Sequence, residues 1–456
     1  MNWNRFNLFD EKILKLNQSH KISFLISAIL LSGASLYAQK LLTVDEAIAS
    51  ALRNNYDILL LKNDSTSYAL NNSYKNAAFL PGISATTGAV VNDNNQKQRL
   101  SDGSIKQLNS VRSNNISGSV ALNWTVFDGL KMFATRDKLA EFVKLGELTI
   151  RNQVVNTVAA VITGYYNIVR QKQQLRAIEE QMGINQERVK QAEKKISVGL
   201  GAKPEMLQAR LDLNAQKASR LNELTLIEQL KDQLNGLMVL PSNSHYEVAD
   251  SIPINKELSL GEILVVAEKN NPALLIAKQN ITIAGFTLKE RKAEKYPTVS
   301  LNSAYNYSRT NNKTVLNTFT PLFNRNNGFN YGITATVPLL NGFNNKRLVE
   351  QVQLDIDRKK LTYESIRSQN EIAIATAFKN YELQKSTLQL EEENIILARE
   401  NVSISIERFR LGITTILELR ESQKSLEDVY NRLIAARYNT KVAETELLRL
   451  KGGLGR

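Results

Sequence analysis

The chain has 456 residues, 43% hydrophobic and 23% charged, which excludes a disordered polymer. It contains no cysteine, which excludes disulfides, thiolate zinc sites, a cysteine nucleophile and a lipidated cysteine anchor, and its 2 histidines leave little imidazole chemistry. A net charge of +13 admits nucleic acid or anionic lipid as a partner, but the basic residues are interleaved with Glu instead of gathered among aromatics, which argues against nucleic acid.

At the start, Lys12, Lys15 and Lys21 precede the apolar run Ile22 to Leu36, and Tyr37-Ala38-Gln39 follows. A basic flank, a short apolar core and a small residue at the exit predict a secretory signal peptide over residues 1–38. A retained anchor is the alternative, although the run is shorter than a membrane span of about 20 residues.

Thr43 with Glu46 predicts a capped helix start, since each side chain can satisfy a free backbone N–H of the first turn. Pro81 is expected to close that helical region. A strand is predicted near Ile83–Val91, then a polar loop over Asn92–Asn115. From Ile116, the apolar Ile116, Val120, Leu122, Trp124 and Val126 alternate with Ser117, Ser119, Asn123 and Thr125. Period two with one apolar and one polar face is a strand signal, and it suits a barrel wall with lipid outside and water inside. An ordinary half-buried sheet would show the same alternation.

Lys131 to Ser197 carries no proline and predicts one helix about 100 Å long. Val198-Gly199-Leu200-Gly201 marks a reversal, and a return helix follows. Residues 241–257 read as a polar linker, with His245 a solvated loop residue.

The pattern then recurs. Leu42-Thr43-Val44-Asp45-Glu46-Ala47 finds its counterpart 216 residues on, at Leu258-Ser259-Leu260-Gly261-Glu262-Ile263, and Pro297 follows Pro81 at the same offset. Ser259 with Glu262 predicts a second capping box. Strands are predicted near Val299–Tyr307 and across Tyr331, Ile333, Ala335 and Val337, with a loop over Arg309–Asn330. Phe127-Asp128-Gly129 and Val198-Gly199-Leu200 match Leu340-Asn341-Gly342 and Leu411-Gly412-Ile413, each 213 residues on. A second long helix runs from about Asn345 to Arg410. Its return helix bears Leu419, Leu426 and Leu433 seven apart, with Val429 and Ala436 beside them, which marks a packed seam. The landmarks predict a duplicated unit over residues 39–240 and 258–456. No nucleophile–base pair, metal cluster or phosphate loop stands out, so neither an enzyme nor a cofactor is expected.

Two strand pairs per chain cannot close a barrel, and an open edge in hydrocarbon leaves backbone groups without partners. Three copies would supply about 12 strands, an even number within the range of bacterial barrels. The helical segments alone are also compatible with a periplasmic coiled-coil scaffold.

Trp124-Thr125-Val126-Phe127-Asp128-Gly129, Val337-Pro338-Leu339-Leu340-Asn341-Gly342, the leading Leu42–Ala47 segment and the two glycine turns together resemble the TolC-like outer-membrane efflux proteins, over nearly the whole mature chain. The resemblance implies a mixed α+β membrane protein: long α-helical hairpins forming a periplasmic tunnel, and four strands per chain completing a 12-stranded trimeric β-barrel. It implies a passive export duct in the outer membrane of a tripartite efflux or type I secretion system, working with an inner-membrane pump and a periplasmic adaptor. Val198, Gly199, Leu200, Arg410, Leu411, Gly412 and Ile413 would be adaptor-docking tips, or simply hairpin turns. Glu418, Glu421 and Glu205 would line the periplasmic entrance, unless Glu421 pairs with Lys424 on a solvated face. Ile116, Val120, Leu122, Trp124, Tyr331, Ile333 and Val337 would face lipid.

Overall fold

The computed structural model describes residues 41–199, 201–242, 244–254 and 257–454; the expected leader, residues 1–38, and Leu200 lie outside the described residues. The chain starts with β1 (Leu41–Leu42), α1 (Val44–Asn54) and α2 (Tyr56–Ser73), followed by strands β2 (Gly82–Arg99) and β3 (Ile105–Phe127). Helix α3 (Lys131–Ser197) and its return α4 (Lys203–Met238) complete the first half. After the short strand β4 (Glu247–Val248) the order repeats: α5 (Leu260–Asn270), α6 (Pro272–Ala293), β5 (Thr298–Asn312), β6 (Phe323–Thr336), α7 (Asn344–Arg410) and α8 (Ile416–Lys451). Helices α3 and α7 have 67 residues each, and α4 and α8 have 36 each, so the halves agree in length as well as in order. None of the described helices is long and apolar enough to cross a membrane.

Thr43 and Glu46 form the expected capping box, Glu46 N–H to Thr43 Oγ1 at 3.2 Å and Thr43 N–H to Glu46 Oε2 at 3.2 Å. Its expected twin does not form. Ser259 is the N-cap of α5 without a side-chain cap bond. Glu262 instead accepts from Lys451 Nζ at 2.9 Å, an opposite charge from the end of α8 that outcompetes the local backbone. The prolines also act differently from the expectation. Helix α2 stops at Ser73 and a short 3-10 turn, Ala77–Phe79, intervenes before Pro81. Pro81 and Pro297 stand directly before β2 and β5, where the restricted φ favours the extended backbone that follows.

The four long strands form one antiparallel sheet in the order β2-β3-β5-β6. The two polar loops expected beside these strands are mostly strand. Pairing runs from Gly82–Asn123 to Arg99–Ile105, and from Thr298–Thr336 to Asn311–Phe323. A ladder is made of backbone groups, so Asn, Ser and Gln sustain it where both faces meet water, and their polarity disguised the strand.

The linker is not wholly polar either. Tyr246, Val248 and Ile252 are buried against α3 and α4, and β4 pairs in parallel with β1. Tyr165 fastens this patch: its hydroxyl donates to the Leu42 carbonyl at 2.7 Å and accepts from Ala249 N–H at 3.0 Å. Burial pushes the Tyr165 phenol upward, so it stays a donor. His245 is exposed, as the sequence suggested. A second core joins Ile263 and Ala267 of α5 to Ile374, Tyr381 and Leu447 of the second hairpin. A third runs down the seam of α7 and α8, where Leu419, Leu426, Val429, Leu433 and Ala436 are all buried as their spacing predicts.

Candidate functional site

The sheet carries one candidate surface. Residues paired across an antiparallel ladder share a face. Val120 pairs with Ala85 and Tyr305, Leu122 with Ile83 and Ser303, and Trp124 with Leu301. Leu301 in turn pairs with Ile333, Ser303 with Tyr331 and Tyr305 with Phe329. Ile116, Val120, Leu122, Trp124, Tyr331 and Ile333 therefore lie together on one apolar and aromatic face, as the alternation predicted. Val337 follows the last residue of β6 and sits outside the ladder. The opposite face carries Ser84, Thr86, Ser119, Asn123, Asn302 and Asn306, which is polar and uncharged.

The apolar face ends at a defined edge. Trp124 Nε1 donates to the Phe79 carbonyl at 2.8 Å, which holds the indole at the junction between helix and sheet. Strand passes to helix there through Gly129 and Leu130, at φ 73° and 72°, and through Gly342 and Phe343, both at φ 62°, in the second half. Asp128 caps α3 through Met132 N–H at 3.0 Å, and Lys131 Nζ reaches Glu294 at the end of α6 at 2.7 Å. Burial acts to raise the Glu294 carboxyl, but the Lys131 and Arg291 charges outweigh it and hold the group below the usual range.

The opposite ends of the hairpins form the second candidate surface. Gly412 ends α7 at φ 73°: its N–H bonds the Phe409 carbonyl at 3.1 Å, and Ile413 N–H bonds the Arg408 carbonyl at 2.9 Å. This pair of bonds satisfies carbonyls that the helix end leaves free, and the left-handed residue suits glycine. Gly199 repeats the first of these bonds at φ 76°, its N–H bonding the Ile196 carbonyl at 3.0 Å. Gly201 is required by closeness, since a Cβ there would stand 2.7 Å from the Ile196 nitrogen. Val198, Leu411 and Ile413 are exposed at these turns beside Arg410. Each turn thus presents apolar surface that its own chain leaves uncovered.

The three expected entrance carboxylates sit close to the turns. Glu205 lies in the first turn of α4 and Glu418 in that of α8, and both are exposed. Thr415 caps α8 by accepting from Glu418 N–H at 3.3 Å, while the Glu418 carboxylate accepts from the Thr414 hydroxyl. Glu421 is exposed one turn further on. Among the described residues, Glu421 and Lys424 make no ion pair with each other.

One feature near the turns escaped the sequence reading. Arg188 of α3 is buried and donates to Asp212 of α4, and it reaches Gln423 Oε1 of α8 at 3.1 Å. Arg420 Nη2 approaches the other Asp212 oxygen at 3.3 Å. The two hairpins are thus tied by charge as well as by packing. The available signal was local: Gln181, Asn185 and Arg188 fall at i, i+4 and i+7, a polar stripe on a helix face that should otherwise be apolar.

Comparison with known proteins gives this architecture its place. The sequence profile of the outer membrane efflux protein family matches residues 47–240 and again residues 263–453. The outer membrane efflux protein BepC of Brucella suis biovar 1 is 22% identical over 442 residues, covering 93% of this chain and 89% of that relative. Outer membrane protein TolC of Escherichia coli (strain K12) is 22% identical over 359 residues, 77% of this chain and 71% of its own length. Among solved structures, the outer membrane protein VceC of Vibrio cholerae shares the fold with a TM-score of 0.72 at 13% identity, over 90% of this chain and 96% of that one. With its profile matched along both halves, the chain belongs to the outer membrane efflux protein family.

Proposed function

We propose that three copies of this outer-membrane export duct assemble around one axis. Their four-stranded sheets close a single 12-stranded barrel, and their hairpins continue it as a tube into the periplasm. The observation that carries this reading is a sheet whose two outer strands, β2 and β6, have no partner on one side among the described residues, beside one apolar face. In hydrocarbon, each unpartnered backbone group costs several kcal/mol, so the edges must meet those of further copies. A periplasmic coiled-coil scaffold would have no use for such a sheet.

The apolar face, with Ile116, Val120, Leu122, Trp124, Tyr331, Ile333 and the flanking Val337, meets outer-membrane lipid, and the Ser/Thr/Asn face lines the bore. The duct supplies a path and no chemistry, with export driven by an inner-membrane pump acting through a periplasmic adaptor. Val198, Gly199, Leu200, Arg410, Leu411, Gly412 and Ile413 form the adaptor-docking tips, and their exposed apolar side chains support that role. Glu205, Glu418 and Glu421 set the charge of the entrance. Matched helix lengths, 67 with 67 and 36 with 36, support a duplicated unit over residues 39–240 and 258–456, joined by 241–257.

Cross-linking tests the assembly. The chain has no cysteine, so a scan of introduced pairs, one between Ser84 and Val90 on β2 and one between Asn326 and Gly332 on β6, reports on neighbours without background. A ladder ending at three chains is expected after oxidation in isolated outer membranes. Exclusively monomeric protein across the scan would sink the reading.

A further inference from the structure

The end of the sheet remote from the helices carries charge that its own strands do not balance. Strands β2, β3, β5 and β6 hold six basic residues, Lys97, Arg99, Lys106, Arg112, Arg309 and Arg325, against one carboxylate, Asp93. All six lie in the half of the sheet away from the helix junction. Arg112 takes the Asp93 carboxylate at 2.8 Å, and Asp102 of the β2–β3 connection accepts from the Ser104 hydroxyl at 2.6 Å. Arg309 and Arg325 have no acidic partner among the described residues.

These two arginines stand directly opposite each other across the β5–β6 ladder. Ile116 and Ala89 continue the same row, so both arginines belong to the apolar and aromatic face, and both are exposed. Like charges opposed on one ladder repel, which leaves room for a counter-charge from outside the chain. Aromatic rings hold each guanidinium: Arg325 lies over Tyr307 at 5.6 Å and Arg309 over Phe323 at 5.5 Å, both diagonal neighbours on that face. Stacking uses the flat of a guanidinium and leaves its N–H edge for an acceptor in the plane.

Their height matches a membrane boundary. Trp124, at the junction end, pairs with Leu301, and Arg309 lies eight residues further along β5, about 26 Å at 3.3 Å per residue. With the tilt of a barrel strand that becomes about 20 Å of depth, against an apolar band of about 25 Å. The pair thus falls where hydrocarbon gives way to the headgroups of the outer leaflet. A phosphomonoester carries close to two negative charges at neutral pH, which matches two guanidinium groups, and its oxygens suit their forked donors.

We propose that Arg309 and Arg325 form a binding site for the phosphomonoester of an outer-leaflet glycolipid, with the two guanidinium groups clamping one phosphate. This site rests on the reading above that the face meets lipid, and it names the headgroup selected there.

Diphosphorylated lipid A is the probe, added to the purified protein in detergent, with its dephosphorylated form as the control. The phosphorylated lipid is expected to raise the thermal midpoint saturably, and the dephosphorylated form, whose acyl chains are the same, to do far less. Arg309→Gln combined with Arg325→Gln should weaken the apparent affinity about ten-fold or more, since charge-assisted hydrogen bonds are lost. Both arginines are exposed, so the exchange removes no core packing, and either single variant repeats the test if the double variant folds poorly. Equal binding of the two lipids, or an affinity unaltered in the variants, would overturn the assignment. So would equal protection by inorganic phosphate alone, which would mark a free-anion site. The cross-linking scan separates the two readings: a three-chain ladder with unaltered lipid affinity removes this site alone, whereas exclusively monomeric protein removes the barrel with it.

Discussion

Asn271 gives its side-chain amide to the Leu450 carbonyl, 2.9 Å away, while its own carbonyl oxygen caps α6 through Ala273 and Leu274 N–H at 2.9 and 3.3 Å. Asn55 stands in the same relation to Leu237 in the first half, at 3.2 Å, and caps α2 through Asp57 and Ile58. One side chain therefore sets where two helices meet and binds that corner to the end of a return helix. Asn271 also reaches Asn370 Oδ1 at 3.0 Å, a bond without counterpart among those of Asn55. Asn271→Ala should cost about 2–4 kcal/mol, a lost cap plus a stranded buried carbonyl. Asn55→Ala should cost less, and thermal unfolding of the two variants in detergent ranks them.

Gly129 and Gly342 occupy matching strand-to-helix junctions in unlike surroundings. A Cβ on Gly129 would collide with the Ala293 carbonyl oxygen and lie 2.9 Å from Tyr296 Cβ, whereas Gly342 faces open space. Gly342→Ala should cost about 1–2 kcal/mol for the left-handed backbone alone. Gly129→Ala must also displace the end of α6, and should lower the yield of folded protein in the membrane far more. Equal yields would show that the junction yields easily.

Leu426 is 2% exposed at the centre of the α7–α8 seam. Leu426→Ala should destabilise the second hairpin by about 2–5 kcal/mol through lost burial and the cavity left behind. Limited proteolysis should then cut near the turn at Gly412 first, with the sheet resisting longer.

Glu141 of α3 accepts from Lys144 Nζ at 2.8 Å and from the Gln279 side chain of α6. These bonds hold its carboxyl below the ordinary 4.5. Because the folded value is the lower one, the contribution is complete above the unfolded value and disappears as pH falls through the folded one. Stability should therefore decline with acidification below about pH 4.5, with a shallower decline in Glu141→Gln. A pH series of thermal midpoints for both proteins measures the difference.

The entrance carboxylates predict a change in conduction. Removing Glu418 and Glu421 together, as Glu418→Ala with Glu421→Ala, should raise single-channel conductance in planar bilayers and reduce preference for cations. Unchanged conductance and ion preference would place both residues away from the constriction.

Much of this architecture was readable in advance where short-range rules govern. Lys131–Ser197 was bounded by a glycine junction and a glycine turn with no proline between, and the helix occupies those residues. Leu419, Leu426 and Leu433 declared their seam by spacing alone. Failures arose where long-range partners decide. Glu262 abandons its local cap for Lys451, 189 residues away. Asn92–Asn115 looks like a loop because polar side chains report exposure, while strand pairing depends on backbone groups that every residue but proline carries. The Arg188–Asp212–Arg420 cluster draws on three helices, and no single segment announces it.

The equal spans of α3 and α7 restrict how such a molecule can change size. Both begin at a left-handed residue beneath the sheet and run 67 residues to their reversals, so the two reversals descend through the same number of turns. Adding one heptad to a single hairpin would drop its end by about 10 Å relative to the other and break the shared floor they offer to anything beneath. A lineage adapting to a deeper or shallower envelope must therefore alter four helices in concert, and single insertions should be found only in the strand connections at the far end.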